Sequence, residues 1–337
     1  MLRYILRRVV ISIALLVVAS LVCFGLVQLL GDPIADWAEG QRQRNPNGAE
    51  SAIAAAYERA GLNKGFWTRY FSWLGNFITG DWGTTVNPGR TSAEVQPIIM
   101  HSLGITVRLV LIATILSILL GMLIGVFSAV RQYSIFDYTL TGFSFLMFSM
   151  PLFCIAVILK IGGIKFNDWL VSIGGDRWLV TAGYPPGGFT GSFGHQIVQF
   201  TGVYLLPTLS LMAISFAQYA RFQRASMLEV LNADYVRTAR AKGLSARTVI
   251  WKHAFRNALI PVVTLAALSL GAVFSGAIIT ETVFGWQGMG YQLVRYVHYK
   301  EPYMILAWMI VTAVFIILFN LIADIVYTVL DPRIRLD

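Results

Sequence analysis

Six long apolar segments alternate with polar stretches along the chain. They cover approximately residues 9–30, 103–130, 138–162, 202–221, 258–280 and 303–326. Each has about the 20 mostly apolar residues that a helix needs to cross the hydrocarbon core of a bilayer. The pattern therefore predicts an all-α membrane protein with about six transmembrane helices.

The first apolar segment follows a basic start and has to be distinguished from a cleaved secretory signal. Its apolar run of about 22 residues is longer than the core of a signal peptide, which has about 7–15 residues. Gly31-Asp32-Pro33 follows it in place of a small-residue cleavage pattern. We interpret this segment as a retained first transmembrane helix.

The composition supports contact with lipid. The chain is 56% hydrophobic and only 13% charged, whereas typical soluble domains have about 25% charged residues. A net charge of +9 is also found in nucleic-acid-binding proteins, but here the basic residues border apolar segments and form no single basic domain. We therefore expect membrane lipid, and no nucleic acid, as a partner. Cys23 and Cys154 lie in apolar runs and predict no disulfide framework.

The basic residues near the ends of the apolar segments fall on one predicted side of the membrane. They precede the first segment, separate the second from the third, dominate the stretch between the fourth and fifth, and follow the last. These residues are Arg3, Arg7, Arg8, Arg131, Arg221, Arg224, Arg237, Arg240, Lys242, Arg247, Lys252, Arg256, Arg333 and Arg335. By the positive-inside rule, this side is cytoplasmic, and so are both termini.

The topology divides the chain into four regions. They are an N-terminal transmembrane helix (1–30), an external segment (31–100), a membrane core (101–331) with a cytoplasmic loop (222–257), and a cytoplasmic tail (332–337). The external segment is too apolar for a disordered linker, and it predicts helices over residues 49–60 and 66–78. Two interpretations of it stay open: a cap packed on the membrane helices, or a docking surface for an external partner.

The cytoplasmic loop predicts a short helix, a turn and a second helix. Ser226 and Glu229 have capping-box spacing, and Asn232 or Asp234 is suited to cap a helix that runs to Lys242. Gly243 is suited to the left-handed position that follows the end of a helix. Ser245 is suited to cap the start of the second helix.

On the short helix of the cytoplasmic loop, Tyr235, Ala239 and Lys242 share a face because they are spaced by four and three residues. The small side chain of Ala239 lets another backbone approach closely. The same pattern is also typical of a basic interfacial helix held by anionic lipid. The residue pattern leaves both interpretations open.

Nine short stretches of the sequence carry a family resemblance. The most specific lie in the cytoplasmic loop, at residues 226–231, 234–244 and 253–261. The others are residues 31–33, 80–83, 149–153, 281–284, 288–290 and 331–335, so that together they extend along nearly the whole chain. These stretches resemble the permease subunits of dipeptide/oligopeptide-type ABC importers, the binding-protein-dependent transport system inner membrane component family.

The resemblance implies a type I ABC importer permease fold in the bacterial plasma (inner) membrane. It implies a heterodimer with a second homologous permease, two cytoplasmic ABC ATPase subunits that bind ATP and Mg, and an extracytoplasmic substrate-binding protein. Peptides are the implied substrate, with nickel or glutathione as alternatives. The implied ATPase-coupling residues are Tyr235, Ala239, Lys242, Gly243 and Leu244.

The chain has no Walker A sequence, no zinc-protease motif, no paired-cysteine spacing and no nucleophile elbow. We therefore expect no catalytic residue, no metal and no cofactor in this chain, and ATP hydrolysis only in partner subunits. The hypotheses of a secondary carrier and of a membrane enzyme or scaffold are less favoured. A carrier needs ionisable residues at mid-membrane and usually internal repeats, and an enzyme needs a polar cluster; neither is evident.

Small residues and one proline mark expected helix contacts within the membrane. Gly121 and Gly125 form a GxxxG pattern, and Ala267, Gly271 and Ser275 continue a small-residue face; such faces let helices approach closely. For both small-residue patterns, helix packing is favoured over lining of a transport pathway. Pro151 predicts a kink in the third span, either a static bend or a hinge, and Glu281 is expected at the membrane interface or at a gate.

Overall fold

The computed structural model describes residues 2–45, 47–184 and 189–330, with the side chains of residues 2–6, 267–276 and 323–330 outside that description. The described chain is helical, apart from one isolated antiparallel bridge between Thr84 and Glu94. The helices are α1 (Leu2–Leu29), α2 (Ala35–Arg44), α3 (Ala49–Arg59), α4 (Phe66–Thr79), α5 (Val95–Val130), α6 (Ile135–Ser149), α7 (Leu152–Ser172), α8 (Phe193–Leu231), α9 (Asp234–Ala241), α10 (Ala246–Thr248), a π-helical turn (Val249–Ala254), α11 (Phe255–Phe284), α12 (Met289–His298) and α13 (Pro302–Leu330).

Four helices in the described chain are long and apolar enough to cross a membrane: α1, α5, α8 and α13. The pair α6 and α7 adds a fifth span if it is counted as one broken helix. The remaining predicted segment, 258–280, falls within the 30 residues of α11. Ala267, Gly271 and Ser275 lie in the part of α11 whose side chains are outside the described residues.

The chain bends at Pro151 as predicted, but the bend is a break between two helices and not a kink within one helix. The third predicted span is broken there into α6 and α7, whose axes differ by 108°. Met150 has extended backbone angles (φ −86°, ψ 132°), as expected for a residue before proline, where the α-helical region is disfavoured. Pro151 then precedes the first residue of α7. The helix therefore ends and a new one begins.

The backbone divides into two compact units, and the first consists of residues 1–105 and 288–317. One apolar cluster in it joins the membrane helices to α4 and contains Phe24, Val27, Tyr70, Trp73, Ile305, Leu306 and Ile310. A second cluster holds α2 against α3. The two predicted helices of segment 31–100 are present, and Gly61 and Gly80 follow them with positive φ angles of 63° and 94°.

A buried carboxylate fixes the loop between α4 and α5 within this unit. Glu301 is 1% exposed, and its carboxylate accepts hydrogen bonds from the backbone N–H groups of Val86 (2.7 Å) and Asn87 (3.2 Å). The guanidinium of Arg90 lies 3.4 Å from the ring centre of Tyr299. Burial raises the pKa of Glu301 above its usual range. The loop is thus held at the start of α13.

The second unit consists of residues 106–287 and 318–337, and α8 lies at its centre. This helix packs against α6, α7 and α11, and against α5 at two glycines. A Cβ atom at Gly121 would lie 2.8 Å from Cβ of Tyr219, and one at Gly125 would lie 2.6 Å from the carbonyl oxygen of Ala220. The GxxxG pattern thus lies where α5 approaches the backbone of α8.

Candidate functional site

The loop at residues 222–257, predicted to be cytoplasmic, folds into a compact segment between two long helices. Helix α8 runs to Leu231, and after an extended Ala233 (φ −70°, ψ 148°) the chain enters the eight-residue helix α9. It then turns at Gly243 and returns through α10 and the π-helical turn into α11. The loop is therefore joined at both ends to helices of the membrane core.

The ends of α9 follow the predicted signals only in part. Gly243 has a φ angle of +78°, and no heavy atom lies within 4 Å of a Cβ built on it. The backbone conformation therefore favours glycine at this position, although a side chain would have room. The Ser245 hydroxyl accepts a hydrogen bond from the Thr248 N–H at 3.3 Å, as predicted. Both of these signals lie at the C-terminal side of α9.

The predicted caps on the N-terminal side are wrong. No helix begins at Ser226, because α8 continues through that residue and Glu229. The residue before α9 is Ala233, which provides no side-chain cap, and the amide of Asn232 instead donates to the carbonyl of Leu228 at 2.9 Å. The packing of α8 on its neighbours extends the helix past the local capping signal.

The inner face of α9 is apolar and packs on the return segment. Val236 is 0%, Ala239 is 6% and Val249 is 1% exposed, and the three form one cluster, against which Val230 packs. The expectation that Ala239 presents a small-residue face to another protein is therefore wrong. Its small side chain instead lets α9 approach the π-helical turn of its own chain.

The outer face of α9 is basic with exposed apolar groups at its edge. Arg237, Arg240, Lys242 and Gly243 are exposed, and Tyr235 and Leu244 are 43% and 41% exposed. The Tyr235 hydroxyl also accepts a hydrogen bond from the amide of Asn257 on α11 at 2.8 Å. This accessible surface, which we call the α9 outer face, consists of Tyr235, Arg237, Thr238, Arg240, Lys242, Gly243 and Leu244. Four of the five predicted coupling residues thus lie on it: Tyr235, Lys242, Gly243 and Leu244.

An ion pair near the C-terminal end of α8 was missed by reasoning from the sequence. Asp137, at the start of α6, accepts two hydrogen bonds from the Arg224 guanidinium, at 2.6 and 2.8 Å. It also accepts one from the Tyr133 N–H at 3.0 Å and one from the Ser128 hydroxyl. The only sequence signal was a carboxylate at the edge of an apolar segment. The pair fixes α8 to the first turn of α6, about two turns before α8 ends at Leu231.

Glu281 lies in the last turn of α11. Its side chain is fully buried (0% exposed) and accepts a hydrogen bond from the Thr106 hydroxyl. It belongs to the helix-packing interior of the second unit. Its place at the membrane interface or at a gate stays a prediction. In the part of the chain that the structure describes, no group of three or more His, Cys, Asp or Glu residues is placed to hold a metal ion.

Comparison with known proteins defines the class to which this fold and loop belong. The family model of the binding-protein-dependent transport system inner membrane component matches residues 121–336. A model of the N-terminal part of such membrane components matches residues 1–109. The chain belongs to this family of binding-protein-dependent transport permeases, as the sequence resemblance indicated.

Individual relatives agree with this assignment along the full length. The chain is 32% identical over 335 residues to the oligopeptide transport system permease protein OppB of Mycobacterium tuberculosis (strain ATCC 25618 / H37Rv), covering 99% of each protein. It is 35% identical over 344 residues to the dipeptide transport system permease protein DppB of Alkalihalophilus pseudofirmus, covering 99% of this chain and 100% of the relative. A solved structure of the MetNI methionine ABC transporter has a TM-score of 0.52 at 15% identity, covering 70% of this chain and 97% of the other. That structural likeness shows the type of permease fold.

Proposed function

We propose that this chain is the transmembrane subunit of an ATP-driven importer and that it forms a peptide pathway with a second homologous permease. In this proposal an extracytoplasmic binding protein delivers the substrate, and two cytoplasmic ATPase subunits bind ATP and Mg. The names of the full-length relatives favour peptides over nickel or glutathione. Uptake of labelled dipeptides, longer peptides, glutathione and nickel in a deletion strain distinguishes these substrates.

The observation that carries the proposal is the way in which α9 is mounted. Its inner face is locked on the π-helical turn by the cluster of Val236, Ala239 and Val249, and Tyr235 is tied to α11 by a hydrogen bond. A protein that holds the α9 outer face therefore moves α8 and α11 with it. Closure of the ATPases on ATP would bias the membrane helices between two arrangements, which is the coupling that an importer requires.

The outer face favours a protein partner over simple adsorption to lipid. A basic interfacial helix places an apolar face in the membrane, but the apolar face of α9 is buried inside the chain. Its exposed surface offers guanidinium groups for charged hydrogen bonds, with Tyr235 and Leu244 as apolar contacts beside them. Such a combination is typical of protein interfaces, in which aromatic and arginine side chains are enriched.

Crosslinking from the α9 outer face tests this assignment. We expect Cys at Thr238, which is exposed, to crosslink to the ATPase in the assembled transporter, whereas Cys at Gln132, exposed in the α5–α6 turn, serves as the control and should not. Leu244→Asp should reduce uptake by about tenfold or more, because a charge replaces an apolar interface contact. Its level in the membrane should stay normal. The assignment is wrong if Thr238→Cys reacts only with lipid and Leu244→Asp transports normally.

The orientation that we propose places both termini and α9 in the cytoplasm and segment 31–100 outside. We expect a membrane-impermeant thiol reagent applied to intact cells to label Cys at Asn47 and not Cys at Ser245, since both residues are exposed and only the membrane separates them. The background variant carries Ala at Cys23 and Cys154. Labelling of both positions after cell lysis is the control, and the reverse pattern in intact cells would contradict the topology.

A further inference from the structure

A cavity of about 310 Å³ opens within the first unit at the end of α1. Its deep wall is apolar and includes Phe24, Val27 and Leu306, which are at most 7% exposed. Its polar lining includes Gln28 and Arg69. The cavity thus combines an apolar interior with polar groups, a combination that the transport function proposed above does not use.

Two of the polar side chains around this cavity are donors whose acceptors are absent from the described chain. The Nε2 atom of Gln28 is buried with no hydrogen-bond partner in the described chain. Within the same described residues, Arg69 has no carboxylate within ion-pair distance, and its guanidinium lies 6.0 Å from the ring centre of Phe24. An unpaired buried donor is unfavourable, so the arrangement favours a ligand that supplies oxygen acceptors.

The other charged groups of the lining leave this excess of donors in place. Lys300 lies 3.5 Å from Asp36, a carboxylate that is 82% exposed, so its ammonium is only loosely paired. Asp32, the acidic residue of the lining, already accepts hydrogen bonds from the Tyr57 hydroxyl and from the Ile34 N–H. The lining therefore keeps a net positive charge for a ligand, from Arg69 and Lys300 against Asp32.

The depth of the cavity defines the ligand further. Gln28 is the last residue but one of α1, a helix that qualifies as a membrane span, so the donors lie at the membrane–water boundary and the apolar wall lies deeper. Leu26 and Leu29, on the same end of α1, are 52% and 81% exposed and offer an apolar surface to hydrocarbon. The ligand should therefore have an anionic head with acyl chains directly attached.

We propose that this cavity is a binding site for the headgroup of an anionic phospholipid. The phosphate is bound by Arg69 and Lys300 and accepts a hydrogen bond from Gln28. The glycerol group fills the remaining space, and the acyl chains run outside the cavity along α1. Lys300 lines the cavity although its φ angle is +55°, a backbone conformation that is unusual for a residue other than glycine.

The test uses the full-length chain, with the partners that it retains, in phosphatidylcholine nanodiscs that contain a photoactivatable phosphatidylglycerol. We expect adducts on peptides that contain Gln28 or Arg69, in excess of those formed by the matching photoactivatable phosphatidylcholine. Arg69→Gln with Lys300→Gln should lower this excess by about 25-fold, at roughly fivefold for each cation near the headgroup region. Gln28→Leu should lower it as well, while keeping the apolar wall.

A matched control separates the cavity from general surface charge. Arg44→Gln with Lys64→Gln removes the same two kinds of cation from exposed positions outside the cavity lining and should leave the adducts unchanged. An equal loss in both double variants, or no loss in the cavity variant, would overturn the proposal.

Competition with unlabelled lipid needs no variant: phosphatidylglycerol should displace the probe and phosphatidylcholine should not. Equal displacement by free glycerol 3-phosphate would reveal a simple anion site and reject the lipid. This binding result does not depend on uptake, so it succeeds or fails apart from the transport function.

Discussion

Replacing Asp137 with Asn is expected to destabilise the folded chain by about 2–3 kcal/mol, because a buried site loses hydrogen bonds to a charged partner. The Asp137 side chain is 3% exposed, whereas that of Arg224 is 26% exposed and can regain part of its hydration, so the loss stays below the cost of a fully buried unpaired charge. An amide in this position also turns N–H donors toward the donors of Tyr133 and Arg224. The measurement is thermal unfolding of the purified transporter in detergent, followed by size-exclusion fluorescence.

Two comparisons identify the buried pair as the cause. Asp234 and Arg237 form an ion pair at 3.8 Å, and their side chains are 99% and 70% exposed. Asp234→Asn breaks this exposed pair and should change the free energy of unfolding by at most about 1 kcal/mol. Combining Asp137→Leu with Arg224→Met should recover part of the stability lost in either single variant, because no unpaired charge remains. A wild-type melting temperature for Asp137→Asn would show that the pair does not stabilise the fold.

Gly125→Ala is expected to lower stability by about 1–3 kcal/mol or more, because the added methyl group overpacks a helix contact. Its Cβ atom would lie 2.6 Å from the carbonyl oxygen of Ala220 and 2.7 Å from Cβ of Gln223. The first of these is a backbone atom, so relief requires α5 and α8 to separate. We expect a lower melting temperature and less transporter in the membrane.

The control for this substitution is another glycine in a membrane helix. No heavy atom lies within 4 Å of a Cβ built on Gly142 in α6, so Gly142→Ala should be neutral or slightly stabilising, as is usual for Gly→Ala inside a helix. Equal losses in both variants would mean that helix propensity or insertion, and not the α5–α8 contact, is responsible. An unchanged Gly125→Ala variant would contradict the close approach itself.

Asp137→Asn and Gly125→Ala both bear on the proposed function, because α9 follows α8 in the chain and is attached to its end. Arg224 lies in the last three turns of α8, and Gly125 supports the same part of the helix from α5. A variant that folds but holds α8 less firmly should transmit the movement of α9 less completely. Uptake per folded transporter should therefore fall together with the melting temperature, whereas Leu244→Asp should reduce uptake alone.

The amino-acid sequence by itself determined the local features of this protein. Apolar runs located the membrane helices, since the length needed to cross a bilayer depends on composition alone. Gly61, Gly80 and Gly243 marked helix ends, because left-handed backbone angles favour glycine regardless of what lies nearby. The specific stretch 234–244 indicated the permease family, and the family matches over residues 121–336 and 1–109 confirmed it.

The tertiary structure decided which way each face turns and which distant groups meet. Spacing along α9 placed Tyr235, Ala239 and Lys242 on a common side but could not say that Ala239 packs on Val249. A proline predicts local disruption, yet the 108° between α6 and α7 depends on where both helices find apolar neighbours. The pairing of Asp137 with Arg224 joins residues 87 positions apart. Such contacts depend on the packing of whole helices, so no local pattern contains them.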